Sequence, residues 1–387
     1  MALLGEQLLI LLGALSVVVP ALAFLLWRRV RGPRAVRVLQ RLAMVGASQL
    51  VAVLLVAAAV NDYGFFYNSW TELADGITQT AGLRSAHDPQ LQRTVRRSGV
   101  APASAGSIKI RSDPGYSTPN QWATRGRLES VTIDGALSRL KSHAYVYLPP
   151  QYFQASYANT SFPAVEVFTG YPGIDTYLVS RMKYQDVLLR LIHAHQAQPT
   201  VLVMLRPSVT YPRDTECTDV PAGPQAETFF ASDIPAQTVD EYRVLPTGWG
   251  AMGDSTGGYC AAKLAMLHPD VFWAAAEMSG YFFALKDRTT HDLWGGSPIV
   301  RDLNDLRWRL AHQPAPPVSL LVGTSPSERG PDGYVGARQF LRLARAPMTV
   351  DMMTVPHGGH NIATWTAELP HALAWLSAKL PVPSVAP

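Results

Sequence analysis

The sequence predicts an α/β domain with a mostly parallel sheet flanked by helices, preceded by a hairpin of two transmembrane helices. Two observations lead to this fold class. The chain opens with two long apolar segments, and from residue 127 to 380 short apolar runs alternate with helical patterns. Strands that alternate with helices form parallel sheets, because each helix returns the chain to the same end of the sheet.

The elements of the α/β domain follow one another in a regular order. The predicted strands cover residues 128–133, 144–148, 164–168, 200–205, 248–252, 274–279, 318–322 and 348–355. The predicted helices cover residues 181–197, 227–242, 257–268, 333–344 and 364–380. Several strands are short uninterrupted apolar runs, which is typical of strands buried on both faces of a sheet.

The two N-terminal segments are long enough to cross a membrane. Residues 8–27 and 42–60 contain no charged side chain, and about 20 helical residues span a bilayer core. Glu6 precedes the first segment and two arginines follow it. A cleaved signal peptide has the opposite arrangement, with positive charge before its apolar region. We therefore predict a transmembrane hairpin anchor over residues 1–67, with the lipid bilayer as its partner.

Six arginines lie between residues 28 and 41, and no acidic residue lies among them. The positive-inside rule places this loop in the cytoplasm and the chain beyond residue 60 outside it. The whole chain has a net charge of +4, but without these six arginines 27 basic residues face 29 acidic ones. Because the excess positive charge belongs to one short loop, we predict no nucleic-acid partner.

The remaining chain divides by composition. Residues 68–125 are polar and show little periodicity, which favours a linker or irregular lead-in before the α/β domain at 126–380. Residues 381–387 are expected to form a disordered tail. The two cysteines, Cys217 and Cys260, permit one disulfide in an exported domain. The alternative is two unrelated small core residues; the predicted topology favours the disulfide.

The motif Gly253-Asp254-Ser255-Thr256-Gly257 lies where a predicted strand ends and a predicted helix begins. Small residues on both sides of a serine allow the tight strand-to-helix turn of the α/β-hydrolase fold, which exposes the serine Oγ. The next backbone N–H, that of Thr256, lies at a helix N-terminus, where it can stabilise an oxyanion. The motif therefore predicts Ser255 as a nucleophile.

A serine nucleophile needs a base and an acid, which follow it in this fold in the order acid, then histidine. His357 and His360 both follow the last predicted strand. We favour His360, since it directly precedes a helix and follows two glycines. The acid is expected after the strand at 318–322, where Glu328 and Asp332 are the first two carboxylates; either is alternatively a solvated loop residue.

The chain resembles the esterase D and antigen 85 family, which includes mycolyltransferases, from about residue 127 to 380. The resemblance rests on Val146-Tyr147-Leu148-Pro149-Pro150, Ala226-Glu227-Thr228-Phe229, the serine motif with His268-Pro269-Asp270-Val271-Phe272, and Gly358-Gly359-His360-Asn361. It implies that Glu328, in Gly323-Thr324-x-x-x-Glu328, is the triad acid rather than Asp332. It also implies that the Tyr171 backbone N–H is a second oxyanion donor.

The chain departs from the family at two positions. The family usually has an apolar residue before the serine and methionine after it, where this chain has Asp254 and Thr256. A carboxylate one residue from the nucleophile is expected to perturb the histidine. The arginine-rich features expected of a mycolyltransferase are also not found.

Three further patterns have competing interpretations. Residues 248–253 match G-x-G-x-x-G, but the first two glycines fall inside a strand, so we predict no dinucleotide and no other cofactor. The pair His357-x-x-His360 has no nearby carboxylate or cysteine to complete a metal site. The acidic segment 214–219 either contacts a polar head group or is a solvated loop, and we favour the loop.

These observations predict a membrane-anchored, extracytoplasmic serine carboxylic-ester hydrolase or acyltransferase that forms an acyl-enzyme. Its expected substrates are lipid or cell-envelope esters, an inference that rests on location. Two alternatives are a non-catalytic envelope-binding protein on the same fold and a serine peptidase.

Overall fold

A computed structural model of the protein describes residues 6–64, 106–328 and 333–385. The chain forms two compact units, Met1–Gln92 and Arg93–Pro387. In the first unit, helices α1 (Glu6–Leu26) and α2 (Arg34–Gly64) contact each other. Both are long and apolar enough to cross a membrane, with mean hydropathy 2.7 and 2.2 over their apolar spans. Length and composition fit a signal sequence as well as an anchor.

The arginine-rich loop is shorter than predicted. Helix α2 begins at Arg34, and Arg37 donates its backbone N–H to the carbonyl of Pro33. Proline is well tolerated at a helix start, because its missing N–H is not needed there. The prediction of a loop was therefore wrong from Arg34 to Arg41, which form the first turns of the helix.

The second unit is built on a nine-stranded sheet and a separate two-stranded sheet. Its strands are β1 Ser107–Ser112, β2 Arg127–Asp134, β3 Lys141–Leu148, β4 Thr160–Ser161, β5 Ala164–Phe168, β6 Val201–Leu205, β7 Trp249–Asp254, β8 Phe272–Met278, β9 Ser319–Thr324, β10 Thr349–Thr354 and β11 Ser384–Val385. The order in the large sheet is β1-β2-β3-β6-β5-β7-β8-β9-β10. The strands from β6 to β10 in this order are parallel, and β1 to β3 are antiparallel.

Helices cover both faces of the sheet. They are α3 Trp122–Arg125, α4 Tyr184–His193, α5 Ala226–Thr228, α6 Ile234–Glu241, α7 Thr256–Leu267, α8 Pro298–Asn304, α9 Leu306–His312, α10 Tyr334–Leu343 and α11 Ile362–Ser377. Side chains alternate between the faces along each strand. In β5, Phe168 packs into one apolar core and Val167 into the other. The predicted α/β-hydrolase architecture is confirmed.

Two further local predictions were wrong. Strand β1 pairs antiparallel with β2, so residues 107–112 are not an irregular lead-in; residues 68–105 lie outside the described residues. Ser384 and Val385 pair with Ser161 and Thr160, so this part of the tail is ordered, and residues 386–387 are not described. Both strands lie at the edges of their sheets. An edge strand is stabilised by backbone hydrogen bonds to its one neighbouring strand, and the local sequence pattern does not predict this pairing.

The sheet has a switch point at β5. The next strand, β6, lies on one side of β5, and β7 lies on the other. In open α/β sheets ligands bind at such a point, in the crevice beyond the carboxyl ends of the strands. The loops after β5 and β7 therefore meet at one edge of the sheet.

Candidate active site

Ser255 lies in a strained turn between β7 and α7. Its backbone adopts φ 55° and ψ −122°, a conformation that a non-glycine residue rarely holds. The two motif glycines are needed for space. A Cβ on Gly253 would lie 2.6 Å from the Gly257 backbone, and a Cβ on Gly257 would lie 2.6 Å from the Phe168 carbonyl oxygen. The turn therefore has the geometry of a nucleophile elbow.

His360 lies beside this serine. Its Nε2 is 2.9 Å from the Ser255 Oγ, and its ring packs edge-on against Trp365 with centroids 5.2 Å apart. The next residue, Asn361, caps α11 by accepting a hydrogen bond from the Thr364 N–H. The helix start thus fixes the position of the imidazole. His360 and the alternative base, His357, are both exposed, but of the two only His360 lines the cavity at the serine.

Glu328 lies behind the imidazole and is almost fully buried. One carboxylate oxygen, Oε1, accepts a hydrogen bond of 2.7 Å from the Ser279 hydroxyl. The other, Oε2, lies 3.9 Å from the His360 Nδ1 and has no hydrogen-bond partner in the described structure. That distance is an ion-pair contact but is too long for a hydrogen bond. Asp332, the alternative acid, lies outside the described residues.

The two expected oxyanion donors flank the serine. Thr256 is the first residue of α7, so its N–H has no partner inside the helix. Tyr171 lies in the loop after β5 and lines the same cavity as Ser255. Its side-chain hydroxyl donates to the Pro212 carbonyl at 2.8 Å.

The Asp254 carboxylate hydrogen-bonds to this loop. It accepts the Gly170 N–H at 2.8 Å and the Tyr177 hydroxyl at 2.7 Å. Burial raises the pKa of Asp254 to about 6, although its hydrogen bonds and His360 oppose the shift. The sequence predicts an effect of this carboxylate on the histidine, but not its hydrogen bonds with Gly170 and Tyr177.

A cavity of about 510 Å³ opens at the serine. Hydroxyl and carboxyl groups predominate in its lining, which comprises Tyr171, Asp214, Ser255, Thr256, Tyr281, Leu285, Asp287, Thr289, Ser327, Glu328, Gly333 and His360. Burial raises the pKa of Asp214 to about 6, against hydrogen bonds from Glu216, Thr256 and Ser208. The cavity is therefore suited to a ligand that forms hydrogen bonds.

The segment 214–218 is buried, so its interpretation as a solvated loop was wrong. Cys217 and Cys260 form the predicted disulfide, which links this segment to α7. The ammonium of Lys263, also in α7, donates to the Cys217 carbonyl at 2.8 Å and the Thr218 hydroxyl at 2.9 Å. The disulfide and Lys263 together hold the acidic segment against the helix that carries the nucleophile.

Lys263 is fully buried and pairs with Glu227 at 3.3 Å. Burial lowers the pKa of Lys263, against the attraction of Glu227. For Glu227, burial alone would raise the pKa, but Lys263 and His268 bring it down to about 2. Glu227 is therefore ionised at neutral pH and lies where it can act as the counter-ion of Lys263.

Tyr281, Asp287 and Ser279 were not predicted as site residues, because no strand or helix was predicted between residues 279 and 318 to position them. Two signals were present. Ser297 and Asp305 accept backbone N–H groups at the starts of α8 and α9, which is the common role of serine and aspartate before a helix. Recognising these two capping residues would have predicted that helices begin after Ser297 and Asp305, and that the residues before Ser297 form a loop.

A mostly parallel sheet with a serine elbow at its switch point defines an α/β-hydrolase. Residues 139–376, more than half of the chain, match the model of the putative esterase family. The chain therefore belongs to the putative esterase family.

Similar proteins agree with this assignment. The MPT51 antigen of Mycobacterium leprae (strain TN) is 39% identical over 59 residues, which are 15% of this chain and 20% of the relative. The MPT51/MPB51 antigen of Mycobacterium tuberculosis (strain ATCC 25618 / H37Rv) is 30% identical over 113 residues, covering 25% and 36%. The chain thus spans between a fifth and about a third of the length of these relatives.

Solved structures show the same fold. An S-formylglutathione hydrolase from Agrobacterium tumefaciens has a TM-score of 0.57 at 14% identity, covering 70% of this chain and 100% of its own. A ferulic acid esterase has a TM-score of 0.56 at 18% identity, covering 66% and 100%.

Proposed function

We propose that the protein is a membrane-anchored serine esterase or acyltransferase that uses Ser255, His360 and Glu328. The observation that carries this proposal is the 2.9 Å contact between the His360 Nε2 and the Ser255 Oγ. It joins residues 105 positions apart in the chain, at a turn whose backbone strain costs stability. Such strain is characteristic of a nucleophile held for reaction.

The proposed reaction follows the acyl-transfer scheme. The His360 imidazole takes the Ser255 proton as the Oγ attacks the ester carbonyl, and the Thr256 and Tyr171 N–H groups bind the oxyanion. Glu328 stabilises the imidazolium, for which its Oε2 must approach the His360 Nδ1 from 3.9 Å. The imidazolium then protonates the leaving alcohol. Water or a second alcohol releases the acyl group by the same steps in reverse.

We propose that the catalytic domain lies outside the membrane. This follows from the arginines around the turn of the hairpin, and it makes lipid or cell-envelope esters the accessible substrates. The cavity accommodates the hydrogen-bonding part of such an ester, because Asp214, Asp287 and Tyr281 line it. A long acyl chain would extend beyond this polar cavity.

A non-catalytic envelope-binding protein is the second candidate. The observation in its favour is the 3.9 Å separation of Glu328 and His360, which leaves the triad one hydrogen bond short. Catalytic hydrogen bonds are often long without substrate and shorten in the complex. The separation is therefore compatible with either candidate.

A fluorophosphonate probe distinguishes the two. The full chain in detergent is incubated with the probe and with p-nitrophenyl acetate, beside Ser255→Ala and His357→Ala. We expect labelling and ester hydrolysis by the wild type, retention of both in His357→Ala, and loss of both in Ser255→Ala. An unlabelled wild type, or equal labelling of Ser255→Ala, would contradict the catalytic proposal.

The topology is tested with a membrane-impermeant maleimide on intact cells. Arg31→Cys lies in the turn of the hairpin and Ser384→Cys lies in the catalytic unit, and the two native cysteines are bonded to each other. We expect Ser384→Cys to react in intact cells and Arg31→Cys only after permeabilisation. The reverse pattern would contradict the proposed orientation.

A further inference from the structure

The Asp254 carboxylate is fully buried and turned away from the cavity. Its Oδ2 accepts the Gly170 N–H at 2.8 Å. The Tyr177 hydroxyl lies 2.7 Å from both carboxylate oxygens, and the same tyrosine oxygen accepts the Gly170 N–H at 3.1 Å. Three groups therefore form a closed hydrogen-bonded set at the base of the loop that follows β5.

This loop lies directly against the nucleophile. A Cβ on Gly170 would be 3.0 Å from the Ser255 Cβ and 2.9 Å from the Asp254 Oδ2. Only glycine therefore fits at this position. Glycine is also the residue whose backbone dihedrals are the least restricted, so the direction of the next peptide needs an outside restraint.

The next peptide bears the Tyr171 N–H, the second oxyanion donor of the proposed function. An oxyanion donor is effective only if it is held before the charge develops, within about 3 Å of the oxyanion. The Gly170 N–H is bound to a carboxylate, and hydrogen bonds to ionised acceptors are roughly twice as strong as neutral ones. The far side of the loop is tied separately, where the Asp175 carboxylate pairs with His143 at 2.5 Å.

We propose that Asp254 is a positioning residue, which holds Gly170 so that the Tyr171 N–H points at the oxyanion of the tetrahedral intermediate. This inference rests on the proposed function. It explains a carboxylate next to the nucleophile, where burial is costly and the resembling family usually has an apolar residue. The rival explanation is a purely electrostatic effect of the Asp254 charge on His360.

The test uses Asp254→Ala, Asp254→Asn and Tyr177→Phe. The Asn side chain keeps an oxygen that accepts the Gly170 N–H but removes the charge, whereas Ala removes both. Glu166→Gln is the matched control, because Glu166 is a buried carboxyl in β5 with no hydrogen-bond partner among the described residues. Each full-length variant is assayed with a p-nitrophenyl ester and with its thionoester, and rates are divided by the sites titrated with fluorophosphonate.

The thionoester reports on the oxyanion donors. Its developing negative charge lies on sulfur, which is larger and a weaker hydrogen-bond acceptor than oxygen, so well-placed donors favour the oxygen ester. A variant that loses donor alignment therefore loses more rate on the ester than on the thionoester. A variant with a merely weakened fold loses active sites, and the titration corrects for that loss.

We expect Asp254→Ala to lower kcat on the ester about 10- to 100-fold, less than the roughly 10²- to 10³-fold loss of a whole oxyanion donor. KM should change little, and the ester-to-thionoester rate ratio should fall about tenfold. Asp254→Asn should have a kcat and an ester-to-thionoester rate ratio close to those of the wild type. For Tyr177→Phe, both values should lie between those of Asp254→Ala and the wild type. Glu166→Gln should match the wild type.

An equal loss on both substrates in Asp254→Ala would overturn the inference. So would an Asn variant as impaired as Ala with a shifted pH profile, since that result points to the charge. If Asp254→Ala does not fold, Tyr177→Phe provides the test. An ester-to-thionoester rate ratio in Tyr177→Phe equal to that of the wild type would then overturn the inference. A wild type that the probe does not label refutes the proposed function instead.

Discussion

The two oxygens of the Glu328 carboxylate have different environments. Oε1 is fixed by the Ser279 hydroxyl, while Oε2 is buried, unbonded among the described residues and 3.9 Å from His360. Burying a carboxylate oxygen without a hydrogen bond costs desolvation free energy. A donor that forms a hydrogen bond with Oε2 would recover this free energy. The imidazolium formed during reaction is such a donor.

We predict that Glu328→Gln lowers kcat about 10³- to 10⁴-fold, as expected when a triad acid is replaced by its amide. Steady-state kinetics on p-nitrophenyl acetate measure the loss. Ser279→Ala, which removes only the bond to Oε1, should cost about tenfold or less. Asp332→Asn is the matched control. If it abolishes activity while Glu328→Gln does not, the acid is Asp332.

The disulfide and Lys263 connect two elements, the segment before α5 and helix α7. The bonded cysteines are 43 positions apart, and closing a loop of that length removes unfolded-state entropy worth about 4 kcal/mol. Lys263 binds the carbonyl of Cys217 independently of the sulfur atoms. The segment 214–218 is therefore attached to α7 by two separate interactions, the disulfide and the Lys263 hydrogen bonds.

We predict that the double change Cys217→Ser and Cys260→Ser lowers the unfolding free energy by about 2–4 kcal/mol. The variant should keep most of its ester hydrolysis, since the Lys263 ammonium still binds the Cys217 carbonyl and the Thr218 hydroxyl in the segment that contains Asp214. Urea unfolding measures the first quantity and p-nitrophenyl acetate the second. Wild type treated with dithiothreitol should lose the same stability. An unchanged unfolding midpoint in both samples would contradict the prediction.

Across the catalytic unit, several buried carboxyl groups form no ion pair among the described residues, although Lys263 partly opposes the effect of burial at Glu216. Burial raises the pKa of Glu166, Glu216 and Glu277 well above the usual range and that of Glu368 to about 8. The unfolded chain releases these protons near pH 4–5, while the folded chain keeps them to higher pH. Between these values the unfolded state binds fewer protons, so stability falls as pH rises.

We predict that the midpoint of urea unfolding is higher at pH 5 than at pH 8. Glu227 acts in the opposite sense, but with a pKa of about 2 its contribution is lost only below pH 5. Removing the Glu166 carboxyl by Glu166→Gln should make the fall in unfolding free energy with pH less steep, by up to about 1.4 kcal/mol per pH unit. A stability that increases from pH 5 to pH 8 would show that these carboxyls ionise in the folded protein.

The sequence by itself determined eight of the nine strands of the large sheet and the position of Ser255 between a strand and a helix, because both depend on local patterns. Alternating apolar runs set the sheet, and the paired glycines at 253 and 257 are required by contacts within one turn. Both His357 and His360 follow the last strand, and His360 was favoured because it directly precedes a helix and follows two glycines. The disulfide was predicted because only two cysteines are present.

Only the tertiary structure decided what surrounds the serine. Asp254 meets Gly170 across 84 positions of the chain, and Glu328 meets Ser279 across 49. The acidic segment at 214–218 is buried because a disulfide and a buried lysine hold it against α7. The local sequence does not show whether a polar side chain is buried. The free-energy cost of its burial is offset by hydrogen bonds to residues that are distant in the chain. The fold follows from local periodicity, whereas the environment of the site depends on contacts across the chain.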